Sequence, residues 1–220
     1  MASPGAPPEN FFRDVIYSQP SRAPWDIERN QPALEGVAGL FTGRVLDVGC
    51  GLGDNARWLA ARPGVTSVLA VDLAPAAIAE ARARGMGASG SLAFEVRDVF
   101  SPEAIGAAAS FDTLLDSAVF HCIGDDDAQR RYLRAITPLI RPGGRAVLLV
   151  FSDENPADSW RGPRRIPPAH ARALWEEAGW AIDSLETGAR YMDTMGRCEG
   201  KGGHALLMTA TRAAEAGALG

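Results

Sequence analysis

The fold of this chain is decided by residues 45–56, whose sequence is VLDVGCGLGDNA. The apolar start ends at Asp47, three alternating glycines follow, and then a helix-forming run begins. This order predicts a strand, a tight turn and a helix N-terminus, and glycine lets such a turn approach a ligand closely because it has no Cβ. The spacing Gly49-x-Gly51-x-Gly53 differs from the G-x-G-x-x-G turn that usually holds the pyrophosphate of a dinucleotide.

Strands and helices alternate along most of the remaining sequence. Apolar runs predict strands at 44–48, 67–71, 92–96, 111–115, 145–151, 180–185 and 204–211. Helical patterns lie at 54–61, 76–84, 128–139 and 169–178, with a weak alanine-rich helix opening at 101. Such alternation is typical of an α/β fold with parallel strands. We therefore expect a Rossmann-like, doubly wound, seven-stranded and mostly parallel sheet, with helices on both faces and an antiparallel last strand.

Four predicted strands end at an acidic residue, namely Asp47, Asp72, Asp98 and Asp116. Ligands of doubly wound sheets bind beyond the carboxyl ends of the strands, so these acids should gather at the binding edge. Asp72 follows the second strand, where an acid that binds a ribose is expected. The alternative is that strand-end aspartates only cap loops and helices.

Composition limits the classes of function. The chain has 220 residues, 46% of them hydrophobic, which suffices for one α/β domain. A net charge of −5 and short basic runs disfavour nucleic acid as a partner. No apolar stretch approaches a membrane span. The three cysteines show no metal-binding or disulfide spacing, so no metal is expected.

The expected organisation is an N-terminal segment over 1–24, one domain over 25–212 and a tail over 213–220. Residues 10–18, which include Phe12, could form an amphipathic helix that closes as a lid or packs as a fixed element. The N-terminus lacks the basic region and apolar core of a signal peptide, so a cytoplasmic location is expected. Abundant alanine and arginine, with one lysine, indicate a bacterial source. The expected assembly is a monomer or a weak homodimer.

The glycine turn between Asp47 and the later acids resembles the first motif of class I S-adenosylmethionine (SAM)-dependent methyltransferases. In that family the turn holds the zwitterionic amino-acid tail of SAM. The resemblance implies that SAM is the methyl donor and S-adenosylhomocysteine the product. It also assigns Asp72 to the ribose hydroxyls, Leu73 to packing on the adenine, and Asp98 with Val99 to recognition of the adenine edge.

Other site residues follow from the same resemblance. Asp47 is expected to organise the glycine turn and to contact the ammonium group of the ligand through water. Asp116 and Ser117 lie where the fourth strand should meet the reaction centre. His121 follows the same strand, and an imidazole suits proton transfer near neutral pH. His121 is therefore the candidate general base, and the alternative is a packed, hydrogen-bonded histidine.

Residues 23–32, APWDIERNQP, narrow the resemblance. They are similar to the P-W-D-x-x-x-x-Q-P segment of thiopurine S-methyltransferase-like small-molecule methyltransferases, in which the tryptophan helps to cover the cofactor. The resemblance spans about residues 24–211 and implies this role for Trp25, unless Trp25 is only a core anchor. The chain departs from the pattern at Glu28 and Asn30, where relatives often carry glycine and proline.

The predicted function is methyl transfer to a small, aromatic or heterocyclic S, N or O acceptor, in bacterial secondary metabolism or detoxification. Aromatic side chains would hold a flat acceptor and arginines an anionic one. Candidates for the acceptor pocket are Phe12, Phe120, Trp160, Arg164, Arg165 and Tyr191. A SAM-binding module without catalysis and a nicotinamide-dependent oxidoreductase are the alternatives.

Overall fold

The structure is a computed structural model that describes residue 16 and residues 23–86, 91–158, 160, 162–195, 200 and 202–214. Its strands are β1 (Gly43–Val48), β2 (Val65–Asp72), β3 (Leu92–Val96), β4 (Phe111–Ser117), β5 (Ile140–Phe151), β6 (Trp180–Tyr191) and β7 (Gly203–Arg212). Its α-helices are α1 (Asp54–Ala60), α2 (Pro75–Ala83), α3 (Asp126–Ile136) and α4 (Pro168–Glu177). Short 3₁₀ helices cover Pro32–Leu40, Pro102–Ala104, Phe120–Cys122 and Thr137–Leu139.

The seven strands form one sheet in the order β3-β2-β1-β4-β5-β7-β6. Strands β1 to β5 pair in parallel, and β7 pairs antiparallel with both β5 and β6. The strand order reverses between β1 and β4, and a reversal of this kind opens a ligand crevice at the carboxyl ends of the strands. The doubly wound, mostly parallel sheet with an antiparallel last strand is thus confirmed.

Each face of the sheet carries its own apolar core. Side chains alternate along a strand, so Leu148 and Val150 of β5 face one core, while Val147 and Leu149 face the other. The first core contains residues of α3 and α4, and the second contains residues of α1, α2 and the 3₁₀ helix Pro32–Leu40. Helices on both faces were predicted, whereas this 3₁₀ helix was not.

Three expectations about the elements need correction. The alanine-rich stretch after residue 101 forms only the 3₁₀ turn Pro102–Ala104, because the helical pattern there is too short to bury an apolar face. Strand β5 begins at Ile140 and includes the predicted turn residues 141–144. Strand β6 continues to Tyr191, six residues beyond its predicted end, and this extension carries a side chain to the binding edge.

None of the helices in the described ranges is long and apolar enough to cross a lipid bilayer. Over the same ranges, no group of three or more His, Cys, Asp or Glu side chains is placed to hold a metal ion. Phe12 and the predicted lid helix lie outside the described residues, apart from Ile16.

Candidate functional site

The glycine turn has the conformation that its sequence requires. Gly49, Gly51 and Gly53 have φ angles of 61°, 53° and 84°, which belong to the left-handed region that glycine enters without cost. A Cβ on Gly49 would lie 2.1 Å from Cγ2 of Val119, and a Cβ on Gly53 would lie 2.5 Å from the Phe94 ring. Two of the three positions therefore exclude a side chain for steric reasons as well.

This turn forms one wall of a cavity of about 1310 Å³ at the carboxyl edge of the sheet. Most of the predicted site residues that the structure describes line it: Trp25, Gly49, Gly51, Gly53, Asp72, Leu73, Asp98, Val99, Ser117, His121, Arg164, Arg165 and Tyr191. Asp47, Asp116, Phe120 and Trp160 do not line it. One cavity thus joins the predicted cofactor residues to part of the predicted acceptor pocket.

Asp72, at the end of β2, is fixed by main-chain donors. Its Oδ2 accepts a hydrogen bond from Gly51 N at 2.9 Å, and its Oδ1 accepts one from Ala74 N at 2.9 Å. Burial raises the pKa of Asp72, and the main-chain hydrogen bonds oppose that rise. A carboxylate has about four acceptor positions, so both oxygens keep lone pairs for a ligand in the cavity.

An apolar wall lies beside Asp72. Leu73 and Phe100 line the cavity with 45% and 40% of their surface exposed, which is unusual for large hydrophobic residues. Val99 lies between them on the cavity wall, and Asp98 accepts a hydrogen bond from Phe100 N at 2.9 Å. A flat apolar group with polar edges, such as a purine, would fit this combination.

Asp47 and Asp116 lie beneath the cavity rather than on its wall, which corrects the expectation that Asp116 contacts the ligand. The contact of Asp47 through water stays a prediction, and its Oδ2 has no hydrogen-bond partner among the described residues. Both aspartates are almost completely buried. Burial, with Asp72 and Asp116 nearby, raises the pKa of Asp47 well above its usual range. Burial also raises the pKa of Asp116 to about 6. Above this pH the Asp116 carboxylate is ionised and gives the cavity floor a negative potential, which favours a cationic ligand above it.

Asp116 instead organises the loop after β4. Its carboxylate accepts hydrogen bonds from Val119 N at 2.9 Å, Phe120 N at 3.1 Å and the Tyr132 hydroxyl at 2.6 Å. Next to this loop, Ala118 has a φ of 76°, a left-handed conformation that is strained for alanine. The buried carboxylate therefore holds in place the strained segment that forms part of the cavity wall.

The Tyr132→Phe variant should lose more stability at high pH than at low pH. The hydroxyl of Tyr132 lowers the pKa of Asp116, so the lost bond matters most when Asp116 is ionised. We expect a loss of about 1.5–3 kcal/mol near pH 8 and a smaller loss near pH 5. Because the folded-state pKa of Asp116 is raised, its contribution to wild-type stability should fall as pH rises from about 4 to 6.

Urea unfolding of both proteins near the two pH values measures this difference. The fall with rising pH should be larger in the variant and continue to higher pH, because its Asp116 pKa is higher still. Equal losses at both pH values would contradict the titration of Asp116 in this range.

The segment around Trp25 covers one side of the cavity and is fixed at several points. Gln31 bonds Met192 twice, through Nε2 to the carbonyl oxygen at 2.9 Å and through Oε1 from the amide at 2.8 Å. Gln31 N donates to Oδ1 of Asn55 in α1 at 2.9 Å. Pro24 O accepts from Thr194 N at 2.7 Å. The segment thus joins the glycine-turn helix to the region after β6.

Asp26 and Glu28 explain how this segment keeps its shape. The buried Asp26 carboxylate forms a two-bond ion pair with Arg84, at 2.8 and 3.1 Å. Glu28 has a φ of 58°, the left-handed conformation that glycine adopts readily. Glu28 therefore keeps a glycine-like backbone conformation at a position where proteins of the resembling subgroup often carry glycine.

Aromatic rings form another part of the cavity wall. Phe151, at the end of β5, lines the cavity and stacks on His121 with 5.0 Å between ring centres and 4° between planes. Tyr191 lies 5.1 Å from the Phe151 ring. Burial raises the pKa of Tyr191, so its hydroxyl keeps its proton near neutral pH. The wall offers flat apolar faces with a phenol at one edge.

Two aromatic residues predicted for the acceptor pocket, Phe120 and Trp160, do not line the cavity. Phe120 has no exposed surface and packs in the core, with ring centres 6.2 Å from Trp175 and 6.4 Å from Tyr132. Trp160 lies behind Phe151, with ring centres 4.9 Å apart. Its indole N–H donates to Pro163 O at 2.6 Å. Both support the wall from behind.

His121 lies at the cavity but does not have the geometry of a general base. Its Nδ1 accepts a hydrogen bond from Phe151 N at 3.0 Å. In the neutral ring the proton is therefore on Nε2, and the single lone pair is already engaged by the main chain. The prediction that His121 is the base is corrected: the ring is a wall element and a donor through Nε2.

Arg164 and Arg165 reach the cavity with their guanidinium groups already engaged. Arg164 donates to Gly124 O at 3.1 Å and to Oδ1 of Asp126 at 2.8 Å. Arg165 donates to Asp153 O at 3.1 Å and to Asn155 O at 2.7 Å. Both arginines therefore tie the segment before α4 to neighbouring loops. The charge of Arg164 is paired with the Asp126 carboxylate, whereas the partners of Arg165 are neutral carbonyl oxygens.

Sequence reasoning missed several wall residues. Phe151 could have been identified, since it ends a predicted strand at the same edge as the acids. Gln31 belongs to the segment of residues 23–32 around Trp25, but no role was predicted for it. His170 lies in the first turn of α4, and its hydrogen-bond partner Gln129 is 41 residues away in sequence. No local pattern reveals a pair of that kind.

The cavity residues fit SAM. Ser117 Oγ is a buried hydroxyl at the cavity, beside the Tyr191 hydroxyl. Asp72 keeps acceptor capacity, and the glycine turn leaves room that a Cβ would fill. Trp25, the glycine turn, Asp72, Leu73, Asp98, Val99 and Ser117 would hold the cofactor.

Comparisons with known proteins show similarity to methyltransferases. A family model described as a methyltransferase domain matches residues 45–144. The 2-heptyl-1-hydroxyquinolin-4(1H)-one methyltransferase of Mycobacteroides abscessus is 30% identical over 185 residues, which cover 82% of this chain and 78% of that protein.

Two solved structures share the fold of this chain. One, described as "Conversion of a Disulfide Bond into a Thioacetal Group during Echinomycin Biosynthesis", is 31% identical with a TM-score of 0.71, covering 92% of this chain and 90% of that one. The 1,6-didemethyltoxoflavin-N1-methyltransferase of Burkholderia thailandensis has a TM-score of 0.62 at 24% identity, with 86% and 82% covered, and supports the fold alone.

Proposed function

The chain belongs to the class I SAM-dependent methyltransferases, and from that premise we propose that it methylates a small aromatic or heterocyclic molecule on sulfur, nitrogen or oxygen. The observation that carries the proposal is the shared cavity. It places the glycine turn and Asp72 on one wall, and Phe151, His121 and Tyr191 on another. A cavity of about 1310 Å³ has room for an acceptor beside the cofactor.

Alignment is the main contribution that these residues make to catalysis. SAM, when bound, supplies a methyl group on a positively charged sulfur. The chain fixes the cofactor end through the glycine turn and Asp72, and it presents the ring faces of Phe151 and His121 to a flat acceptor. Orienting two reactants in this way can supply roughly 7–11 kcal/mol in favourable cases.

The relatives support a role in secondary metabolism or detoxification. The M. abscessus protein is named for a hydroxyquinolone, a flat heterocycle, and the structure with 31% identity is described in the context of echinomycin biosynthesis. We also propose that the chain resembles the thiopurine S-methyltransferase-like subgroup in using Trp25 as a cover. The cavity-facing position of Trp25 and the bonds of Gln31 to Met192 support that assignment.

A methyl-transfer screen tests the proposal. Purified protein with SAM should methylate at least one of 2-heptyl-1-hydroxyquinolin-4(1H)-one, 4-nitrothiophenol, 4-methylphenol and a heterocyclic amine, as detected by a 14-dalton mass increase in the acceptor. Calorimetry should show binding of SAM and S-adenosylhomocysteine but not of NADH. SAM binding without turnover on any acceptor would favour a regulatory SAM-binding module and would contradict the proposal.

A further inference from the structure

A second histidine lies on the cavity wall with a different geometry from His121. His170, in the first turn of α4, lines the cavity and keeps 19% of its side chain exposed. Its Nε2 lies 2.7 Å from Oε1 of Gln129, a residue of α3 with no exposed surface. A buried glutamine and a partly exposed histidine thus form a pair that leads from the core to the cavity.

The orientation of Gln129 fixes the protonation of His170. The amide nitrogen of Gln129 donates to Phe120 O at 3.0 Å and lies 3.5 Å from Ile123 O. Both neighbours are carbonyl oxygens, so the amide nitrogen must face them and Oε1 must face His170. Since Oε1 only accepts, His170 Nε2 carries the proton. The lone pair of the neutral ring is then on Nδ1.

The groups around His170 keep the ring neutral near physiological pH. Burial lowers the pKa of His170, the carboxylate of Asp126 opposes this shift, and Arg164 and Arg130 add to it. Asp126 Oδ1 lies 3.8 Å from Nε2 but is itself paired with Arg164 at 2.8 Å. Nδ1 makes no hydrogen bond with any residue in the described part of the chain.

His170 lies close to the loop after β4, which is expected to meet the reaction centre. Arg164 N donates to His121 O at 3.1 Å, so the segment that leads into α4 runs along the loop after β4. The His170 ring centre lies 6.4 Å from that of Phe120 in the same loop. Pro163, Arg164 and Pro167 line the cavity together with His170. This segment and the loop after β4 thus line the cavity together.

We propose that His170, positioned by Gln129, is the catalytic base that accepts a proton from hydroxyl or amine acceptors. The acceptor heteroatom gives its proton to Nδ1 of His170 and forms a bond to the methyl carbon. The carbon–sulfur bond breaks, its electron pair stays on sulfur, and sulfur loses its positive charge. His170 then releases the proton to solvent. The inference rests on the proposed function, because it needs a small acceptor in this cavity.

The protonation state can be measured without any acceptor. Long-range ¹H–¹⁵N NMR spectra of ¹⁵N-histidine-labelled protein should show His170 as a neutral ring with the proton on Nε2 near neutral pH. The signal is assigned by its loss in His170→Gln. A ring that is charged, or that carries its proton on Nδ1, at this pH would overturn the inference whatever the protein methylates.

Two acceptors separate a base from a structural residue. The hydroxyl of 4-methylphenol is protonated near neutral pH and must lose its proton, whereas 4-nitrothiophenol is already a thiolate. In His170→Gln, whose amide can still donate to Gln129, turnover of the phenol should fall by about 10²–10⁴-fold. Turnover of the thiolate should stay within about threefold, because it needs no base. The fall in wild-type turnover at acidic pH should disappear in the variant.

His204→Gln is the matched control, since His204 is on β7 outside the cavity; it should leave both activities unchanged. Equal losses on both acceptors in His170→Gln would indicate a structural role and contradict the inference, as would no loss on either. A wild-type protein that methylates no acceptor would contradict the proposed function itself, and the NMR result would still stand as a separate observation.

Discussion

Replacing Gly49 by alanine should destabilise the protein by about 2–5 kcal/mol and weaken SAM binding by about a hundredfold or more. Gly49 has a φ of 61°, which costs an alanine about 1–2 kcal/mol. The new Cβ would also meet Cγ2 of Val119 at 2.1 Å, and overpacking of this kind costs about 1–3 kcal/mol. Relief of either strain moves the turn, and with it the main-chain groups that face the cavity.

Two variants separate these causes. Gly49→Ala combined with Val119→Ala removes the steric clash but not the left-handed backbone, so it should recover only the clash energy. Gly36→Ala is the matched control, because nothing lies within 4 Å of the Cβ it would add. Its stability should stay within about 0.5 kcal/mol of wild type by urea unfolding. Unchanged stability and SAM affinity in Gly49→Ala would contradict this account of the turn.

The parts of the fold that could be predicted are those that local sequence patterns determine. Strands β1 to β4 are short apolar runs with an acid within two residues of each carboxyl end, and the glycines of residues 49–53 mark the turn where they were expected. The length of β6 was not predictable from its own residues. Its outer half, up to Tyr191, is polar and mixed, and it is held as a strand by pairing with β7.

The residues of the candidate site also differ in whether local sequence patterns determine their roles. Asp72 and Leu73 were predictable because a strand end fixes their position. The roles of Asp116 and His121 depend on partners distant in sequence. Asp116 turns inward to Tyr132, and His121 accepts a bond from Phe151, 30 residues later. A pattern can bring a residue to the right edge, but only the packing decides whether its polar atoms face the ligand or the core.

Replacing Asp72 by alanine should weaken the binding of both SAM and S-adenosylhomocysteine by about 10²–10⁴-fold. Hydrogen bonds to a charged acceptor are worth about 1.5–3 kcal/mol each, and this carboxylate can accept two from a ribose. Asp72→Asn keeps one acceptor oxygen and should lose less, about 10–100-fold. Calorimetric titration with both ligands measures these losses, and thermal unfolding confirms that each variant is folded at the temperature used.

A structural role of Asp72 would also reduce affinity, because its carboxylate holds Gly51 N and Ala74 N. A double-mutant cycle with a modified ligand distinguishes the two roles. If the carboxylate binds the ribose, 5′-methylthioadenosine should bind wild type much more tightly than its 2′,3′-dideoxy analogue, and Asp72→Ala should bind the two almost equally. If Asp72 only shapes the turn, the losses from protein and ligand should add, because neither change removes the partner of the other. Additive losses would therefore move the ribose site away from Asp72, even if the affinity of the variant fell as far as expected.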